Sequence, residues 1–395
     1  MATQNLRASI RISDERDHDA MSLVVFSLEP WEEVRRRMRI LVDEIVDLDP
    51  LLQVLYVCPA TNIPRRLSHS KIANASASRL EKVHPRIHVL RPRRWLPRSI
   101  GPLADRSLER QVLDAVGELG LRQPLLWVND AAYAQFTVRT GWPTLYDITG
   151  DRLLAPLAPR MRSRLETNDD ILLEHSEAVV VCSAALAKSR GRTRTVELIP
   201  NAVDVELFRT PRPRPADLPP APTALYVGTV DAGKIDIPLV LDLARSLPDL
   251  HIVLVGPVSL PNEVVSQLEN VPTIHLLGVH PYHQIPAFLQ HADLVVIPYL
   301  VSPFTESLDP IWVYECLATG RPTVATPVDR FRQIGPPIAI AQRERFAEVV
   351  SATLEQTVPA GLPLVFDDTP LPSWRQRAES MASLMDRARC RQEVW

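Results

Sequence analysis

Residues 298–326 read PYLVSPFTESLDPIWVYECLATGRPTVAT, and the order of element signals in this stretch decides the fold. An apolar run just upstream, Leu294 to Ile297, predicts a strand that gives way to a loop holding Ser302, Thr305, Glu306 and Ser307. A helix is expected from about Asp309-Pro310. Asp is a favoured N-cap, and Pro lacks the N–H that the first helical turn leaves unpaired. Val313, Cys316 and Leu317 fall at helical spacing, and Gly320 is placed to cap the end. Thr323 to Ala325 follows as a second strand. Strand, loop, helix and strand make a βαβ unit. Its loop lies at the carboxyl end of a strand, where open α/β sheets take their ligands. The unpaired N–H groups and positive dipole end of the helix favour a phosphate there. Glu315, about two turns in, is flanked by apolar and aromatic neighbours. Taken alone, it would more often be a carboxylate satisfied by nearby backbone than a ligand contact.

The chain has 395 residues, too many for one ordinary core, so two domains are expected. Hydrophobic residues at 46% and charged residues at 23% are globular proportions. A net charge of −3 argues against a general polyanion binder, so no nucleic-acid partner is expected. The polar start, Met1 to Asp19, has no secretory pattern, and no apolar run reaches membrane-spanning length. Cys58, Cys182, Cys316 and Cys390 are widely spaced and read as buried, reduced thiols. A cytoplasmic location follows as the expectation. The basic loop Arg91 to Arg98, with Trp95 in it, is compatible with nucleic acid, with an anionic acceptor or with contact at the inner membrane surface, although a solvated loop explains it more simply.

Residues 1–20 are expected to form a disordered leader. From residue 21 to 208 apolar strands alternate with helices: Ser22 to Ser27, Gln53 to Val57, Arg86 to Leu90, Leu125 to Val128, Thr144 to Tyr146, Ala178 to Cys182 and Val196 to Ile199. A helix over Glu32 to Val46 would turn Arg35, Arg36 and Arg39 to solvent. Asn129, Asp130 and Asp147 stand where strands stop, which makes them candidates for the acceptor side of a crevice. Six prolines between Pro211 and Pro222 predict a stiff linker over residues 209–223. A second Rossmann-like unit is expected over residues 224–368. It opens with Ala224 to Val227 and the turn Gly228-Thr229-Val230-Asp231-Ala232-Gly233-Lys234. A last helix, Ser373 to Arg389 within residues 369–395, carries Trp374, Ala378, Met381, Leu384 and Met385 at helical spacing.

The opening stretch resembles the nucleotide-sugar site of retaining glycosyltransferases of the GT-B fold, and more closely the family 4 (group 1) subgroup that includes teichuronic-acid-type enzymes. That subgroup reads roughly Asn-Pro-x-Lys-x-x-Glu-Tyr-Leu-Ala-x-Gly-Lys-Pro-Val-Val. Asp309, Pro310, Glu315, Leu317, Ala318, Gly320, Pro322 and Val324 follow it here. Pro200-Asn201-Ala202-Val203-Asp204 resembles the family's Pro-Asn-Gly-Val-Asp, with Ala202 in place of Gly. Phe26 to Trp31 and Trp127 through Asp147 resemble the same subgroup.

The resemblance implies two Rossmann-like doubly wound domains facing a cleft, with the C-terminal helix crossing back to the first. It implies a transferase moving a sugar from a nucleotide donor to an acceptor glycan, lipid-linked sugar or small molecule, retaining and metal-independent, with no cofactor. Glu315 inherits contact with the ribose hydroxyls. Gly228, Thr229 and Lys234 are the diphosphate candidates, Val279 and Tyr282 flank the base, and Glu306, Ser307, Asp309 and Pro310 face the donor. Lys234, Glu306 and Asp130 are the candidates for catalysis. Trp312 departs from the subgroup's Lys and removes a cation, which motivates the alternative of a non-catalytic GT-B scaffold for a partner transferase. A sugar-nucleotide 2-epimerase shares the fold, but its carboxylate and histidine pattern is missing. Nicotinamide, P-loop and serine-hydrolase motifs are not found. His280 and His283 lack ligand-spaced partners for a metal.

Overall fold

The computed structural model describes residues 21–31, 36–62, 80–94, 102–220, 222–335, 338–356 and 370–392. The expected leader, the expected helix start at Glu32 and the Trp95 portion of the basic loop lie outside these residues.

Eight strands make the first sheet: β1 (Ser22–Phe26), β2 (Gln53–Val57), β3 (Leu80–His84), β4 (Ile87–Leu90), β5 (Leu125–Val128), β6 (Thr144–Ile148), β7 (Ala178–Val181) and β8 (Glu197–Leu198). Their spatial order is β8-β7-β6-β5-β1-β2-β4-β3. Every pair is parallel except β3 with β4. Both faces of the central strands are apolar because both are covered, as a parallel sheet requires. Helix α1 (Arg37–Leu48) and the terminal helix cover one face. Helices Pro102–Glu118, Ala134–Thr140 and α2 (Pro159–His175) cover the other.

Six parallel strands make the second sheet: β9 (Thr223–Val227), β10 (His251–Val255), β11 (Ile274–Gly278), β12 (Leu294–Ile297), β13 (Thr323–Ala325) and β14 (Ile338–Ile340). Their order is β11-β10-β9-β12-β13-β14. In each sheet the chain winds outward from a central strand in one direction and then the other. The reversals fall between β1 and β5 and between β9 and β12, and such switch points open crevices at the strands' carboxyl ends.

Helix α3 (Ile311–Thr319) bridges β12 and β13, and Gly320 ends it in the left-handed region at φ +65°, donating to the Cys316 and Leu317 carbonyls. The last helix, α4 (Trp374–Gln392), buries Trp374, Ala378, Met381, Leu384 and Met385 against the first sheet's core, beside α1. The proline-rich segment lies along the second unit, where Arg212 N donates to Gln290 Oε1 at 2.8 Å and Leu218 is buried. Two expectations need correction. Cys390 is exposed, unlike the other three cysteines, because it lies on the outer side of α4. The loop after β12 contains a one-turn helix, Pro303–Glu306, closed by a reciprocal Ser302–Thr305 capping box.

Candidate functional site

A cleft of about 300 Å³ opens where the two switch points face each other. Two glycines shape its second-sheet wall. Gly228 follows β9 and Gly256 follows β10, at φ +142° and +141°. A Cβ on Gly256 would lie 2.1 Å from the Gly228 carbonyl oxygen, so only glycine permits this approach. The Gly228–Lys234 turn is pinned to the loop after β12, with Leu300 N donating to Lys234 O at 2.8 Å. The N-terminus of α3, at Asp309, Pro310, Ile311 and Trp312, completes this wall.

Deep in the cleft lies Glu315, 3% exposed. Burial pushes its carboxyl up to about 7, while the neighbouring Tyr282 hydroxyl favours the ionised form. Val279, which is exposed, and Tyr282 line the same cleft. Lys234 also lines it. Burial lowers its pKa, the Asp231 carboxylate works against that shift, and Arg36 adds to it. Thus Gly228, Thr229, Lys234, Val279, Tyr282, Asp309, Pro310 and Glu315 come together around one space.

The remaining expected residues lie elsewhere. Glu306 turns away: its carboxylate accepts from Asp329 N at 2.6 Å and pairs with Arg332 at 3.6 Å. The Pro303–Glu306 turn directs it there. Ser307 joins the two units instead of facing a ligand. Its hydroxyl accepts from Asp151 N at 2.9 Å and donates to Phe304 O at 2.6 Å, while its carbonyl accepts from Ser183 Oγ at 2.7 Å. Asp130 caps a short turn through Ala132 N at 3.0 Å. Asp147 is fully buried, accepting from Trp127 Nε1 at 3.2 Å beside Arg37 at 3.6 Å. Asn129 donates to Asp147 O at 2.9 Å and to Thr149 Oγ1 at 3.1 Å, yet still lines a second hollow.

Asp309 lines the cleft but is not the helix cap; that position is Pro310, which offers no side-chain bond. The Asp309 carboxylate instead accepts from Asn201 N at 2.7 Å and Tyr314 OH at 3.0 Å, and pairs with Arg330 at 2.7 Å. Burial raises its pKa, and Arg330 is the foremost group opposing that. It therefore joins the two units from the interior.

Sequence reading missed Glu29, Arg36, Arg37, Thr149 and Gly256, all of which line the cleft. The signal for Gly256 was local: an apolar strand ending in Gly-Pro. Arg36 reads as an outward helical residue, but α1 starts one residue later and leaves it lining the cleft. Among the described residues, no group of three or more metal-ligating side chains comes together. His280 lies 3.2 Å from Asp217 of the proline-rich segment. The second hollow, about 210 Å³, is lined by Asn129, Tyr146, Arg152, Asp169 and Arg190, and shares Thr149, Lys234 and Leu308 with the first.

Residues 221–356 match the family described as Glycosyl transferases group 1. TuaH of Bacillus subtilis (strain 168), a protein assigned a glycosyltransferase role in teichuronic acid biosynthesis, is 21% identical over 334 residues, covering 78% of this chain and 81% of TuaH. Among solved structures, Anabaena HepE in complex with UDP and glucose aligns over 95% of this chain and 99% of its own, at 16% identity and a TM-score of 0.56. A UDP-forming α,α-trehalose-phosphate synthase from Burkholderia vietnamiensis covers 93% of each chain at 12% identity and a TM-score of 0.57. The fold is that of the GT-B glycosyltransferases. No described helix is long and apolar enough to cross a membrane.

Proposed function

We propose that the protein is a glycosyltransferase that moves a sugar from a nucleoside diphosphate donor to an acceptor hydroxyl, with retention and without a metal ion. The observation that carries this reading is the convergence of the Gly228–Gly256 backbone, the α3 N-terminus and buried Glu315 on one cleft at the second sheet's switch point. HepE, which shares the fold, has been crystallised with UDP-glucose, and the family match over residues 221–356 points to the same class.

In this reading the ribose hydroxyls donate to Glu315, whose ionised form burial otherwise disfavours. Val279 and Tyr282 flank the base. Gly228 and Thr229 bring backbone close to the diphosphate, and Lys234 and the α3 amides meet its charge. As the bond between sugar and phosphate lengthens, the diphosphate gains negative charge, and donors already in place stabilise it without reorganising. The acceptor hydroxyl attacks from the face that the leaving phosphate occupies, and a phosphate oxygen takes its proton. The hollow beside Thr149 and Lys234 suits the acceptor, because it shares Thr149, Lys234 and Leu308 with the donor space. Similarity to TuaH favours a cell-surface glycan or glycoconjugate pathway.

A thermal-shift screen against UDP-, GDP- and dTDP-sugars tests this. A matching donor at a hundredfold its dissociation constant should stabilise the protein by about 2.7 kcal/mol, and the product's anomeric configuration, read by NMR, tests retention. No shift with any sugar nucleotide overturns the reading and favours a scaffold.

A further inference from the structure

A nucleoside diphosphate carries several negative charges into a cleft, and the subgroup this chain resembles meets them with a Lys on the first turn of α3. Trp312 stands in that place and brings no charge. It is 8% exposed and packs against Tyr226, Tyr299 and Phe331 at ring separations of 5.9, 5.7 and 6.0 Å, with Nε1 donating to Tyr299 OH at 3.3 Å. The side chain serves the second unit's core. Among the described residues, Lys234 is then the one lysine or arginine on the second-sheet wall of the cleft, and the carboxylate that acts on it most is Asp231 of its own turn.

The first-sheet wall carries two more cations, Arg36 and Arg37. Arg37 is already engaged: it is 2% exposed, donates to Asn201 Oδ1 at 3.0 Å and lies 3.6 Å from Asp147. His280, also in the lining, faces Asp217. Arg36 differs from both. It is half-buried, sits just before α1, lines the same cleft as Lys234, and is near enough that its charge disfavours the protonated Lys234. Glu29, also in the wall, tempers this repulsion. One of its carboxylate oxygens is held by Met38 N, and the other has no hydrogen-bond partner among the described residues. Two like charges from opposite walls, facing a shared space, are what an intervening anion would relieve.

We propose that Arg36 is the second diphosphate-binding cation, supplied by the first unit to replace the charge lost at Trp312. This rests on the glycosyltransferase reading of the cleft. The donor is gripped from both walls, so its binding depends on how the two units face each other. The diphosphate, and not the base or ribose, is the part Arg36 recognises.

Isothermal titration of the full chain with UDP, GDP and dTDP, with the corresponding nucleosides and with inorganic pyrophosphate, tests this. Arg36→Gln should weaken the bound nucleoside diphosphate and pyrophosphate by about tenfold or more, as loss of a charge-assisted bond does. Nucleoside affinity should stay within about twofold, and Arg36→Lys should recover most of the loss. Unchanged diphosphate affinity in Arg36→Gln overturns the inference. An equal loss for nucleoside and diphosphate also overturns it, since that would mark a merely structural role at the start of α1. A wild type that binds none of these ligands overturns the glycosyltransferase reading and the inference with it, whereas normal UDP binding by Arg36→Gln removes the inference alone.

Discussion

On the second-sheet side the cleft presents two glycines, a helix start and a buried carboxylate, Glu315, that meets little besides Tyr282, while on the first-sheet side it presents side chains, most of them already engaged. Gly228 and Gly256 leave room for a ligand because they have no side chain to fill it. Across from them, Asn129 and Asp130 follow β5 and Asp147 lies within β6, yet Asn129 bonds Thr149 and the Asp147 carbonyl, Asp130 bonds Ala132 N and Asp147 bonds Trp127. Among the described residues, Glu29 keeps one carboxylate oxygen and Arg37 its Nε without a hydrogen-bond partner on that wall, and Arg36 lines the cleft beside them. Standing at a strand's carboxyl end is therefore not enough to make a site residue. A buried polar group left without a partner is costly, so wherever neighbours can satisfy it they do. A side chain remains available to a ligand only where the packing leaves it one.

The largest expected effect breaks the glycine-shaped wall. Gly256→Ala forces a Cβ to 2.1 Å from the Gly228 carbonyl at a positive φ, and should cost about 3 kcal/mol or more in urea denaturation, together with donor binding. A variant as stable as wild type would show that the two glycines are not in this close approach. Next comes Lys234→Ala, expected to lower transfer about a hundredfold with the melting temperature nearly unchanged. Full activity in steady-state assays would take Lys234 out of the mechanism.

Glu315→Gln should weaken nucleotide binding by about tenfold, and its pH behaviour sharpens the contrast with the engaged carboxylates. Its pKa is raised from 4.5 to about 7 by burial. Stability from such a group is complete below 4.5 and is lost as pH climbs through about 7. The ligand-free wild type should therefore fall behind Glu315→Gln as pH rises, by at most about 3 kcal/mol at about pH 8. Donor affinity should rise over the same interval, because the ribose hydroxyls donate to the ionised form. Parallel melting curves across that range would mean the carboxylate is satisfied without a ligand. The smallest effect is expected of Glu306→Gln, which should keep donor affinity and transfer within about threefold, since Glu306 bonds Asp329 N outside the cleft. A large loss there would put that turn back at the donor.

Much of the architecture was legible residue by residue. Most strand runs, the α3 segment with its stop at Gly320, and the apolar stripe of α4 from Trp374 to Met385 fall where local patterns predict them, whereas the strands Leu80–His84 and Ile338–Ile340 lie in stretches that read as polar or partly helical. The second-sheet candidates were legible too, because a glycine-bounded turn and a helix start are local features. The first-sheet candidates were not. Asp130 and Asp147 carry the same sequence signal as a site residue, and what distinguishes them is a partner contributed by the packing around them. Arg36 failed in the opposite sense: helical periodicity turned it to solvent, and a later helix start left it at the cleft.

By itself the sequence determined two doubly wound sheets, the proline-rich segment between them and the turn chemistry of the second-sheet wall. These depend on apolar runs, on glycine's access to positive φ and on proline's missing N–H, all properties of a few adjacent residues. Only the tertiary structure decided which cleft carboxylate is left for a ligand. Asp309 and Glu315 lie on one short stretch, yet Asn201 reaches Asp309 from the end of the first unit while Glu315 meets little besides Tyr282. Burial and partnering are set by what the rest of the chain brings alongside, and local sequence does not encode that.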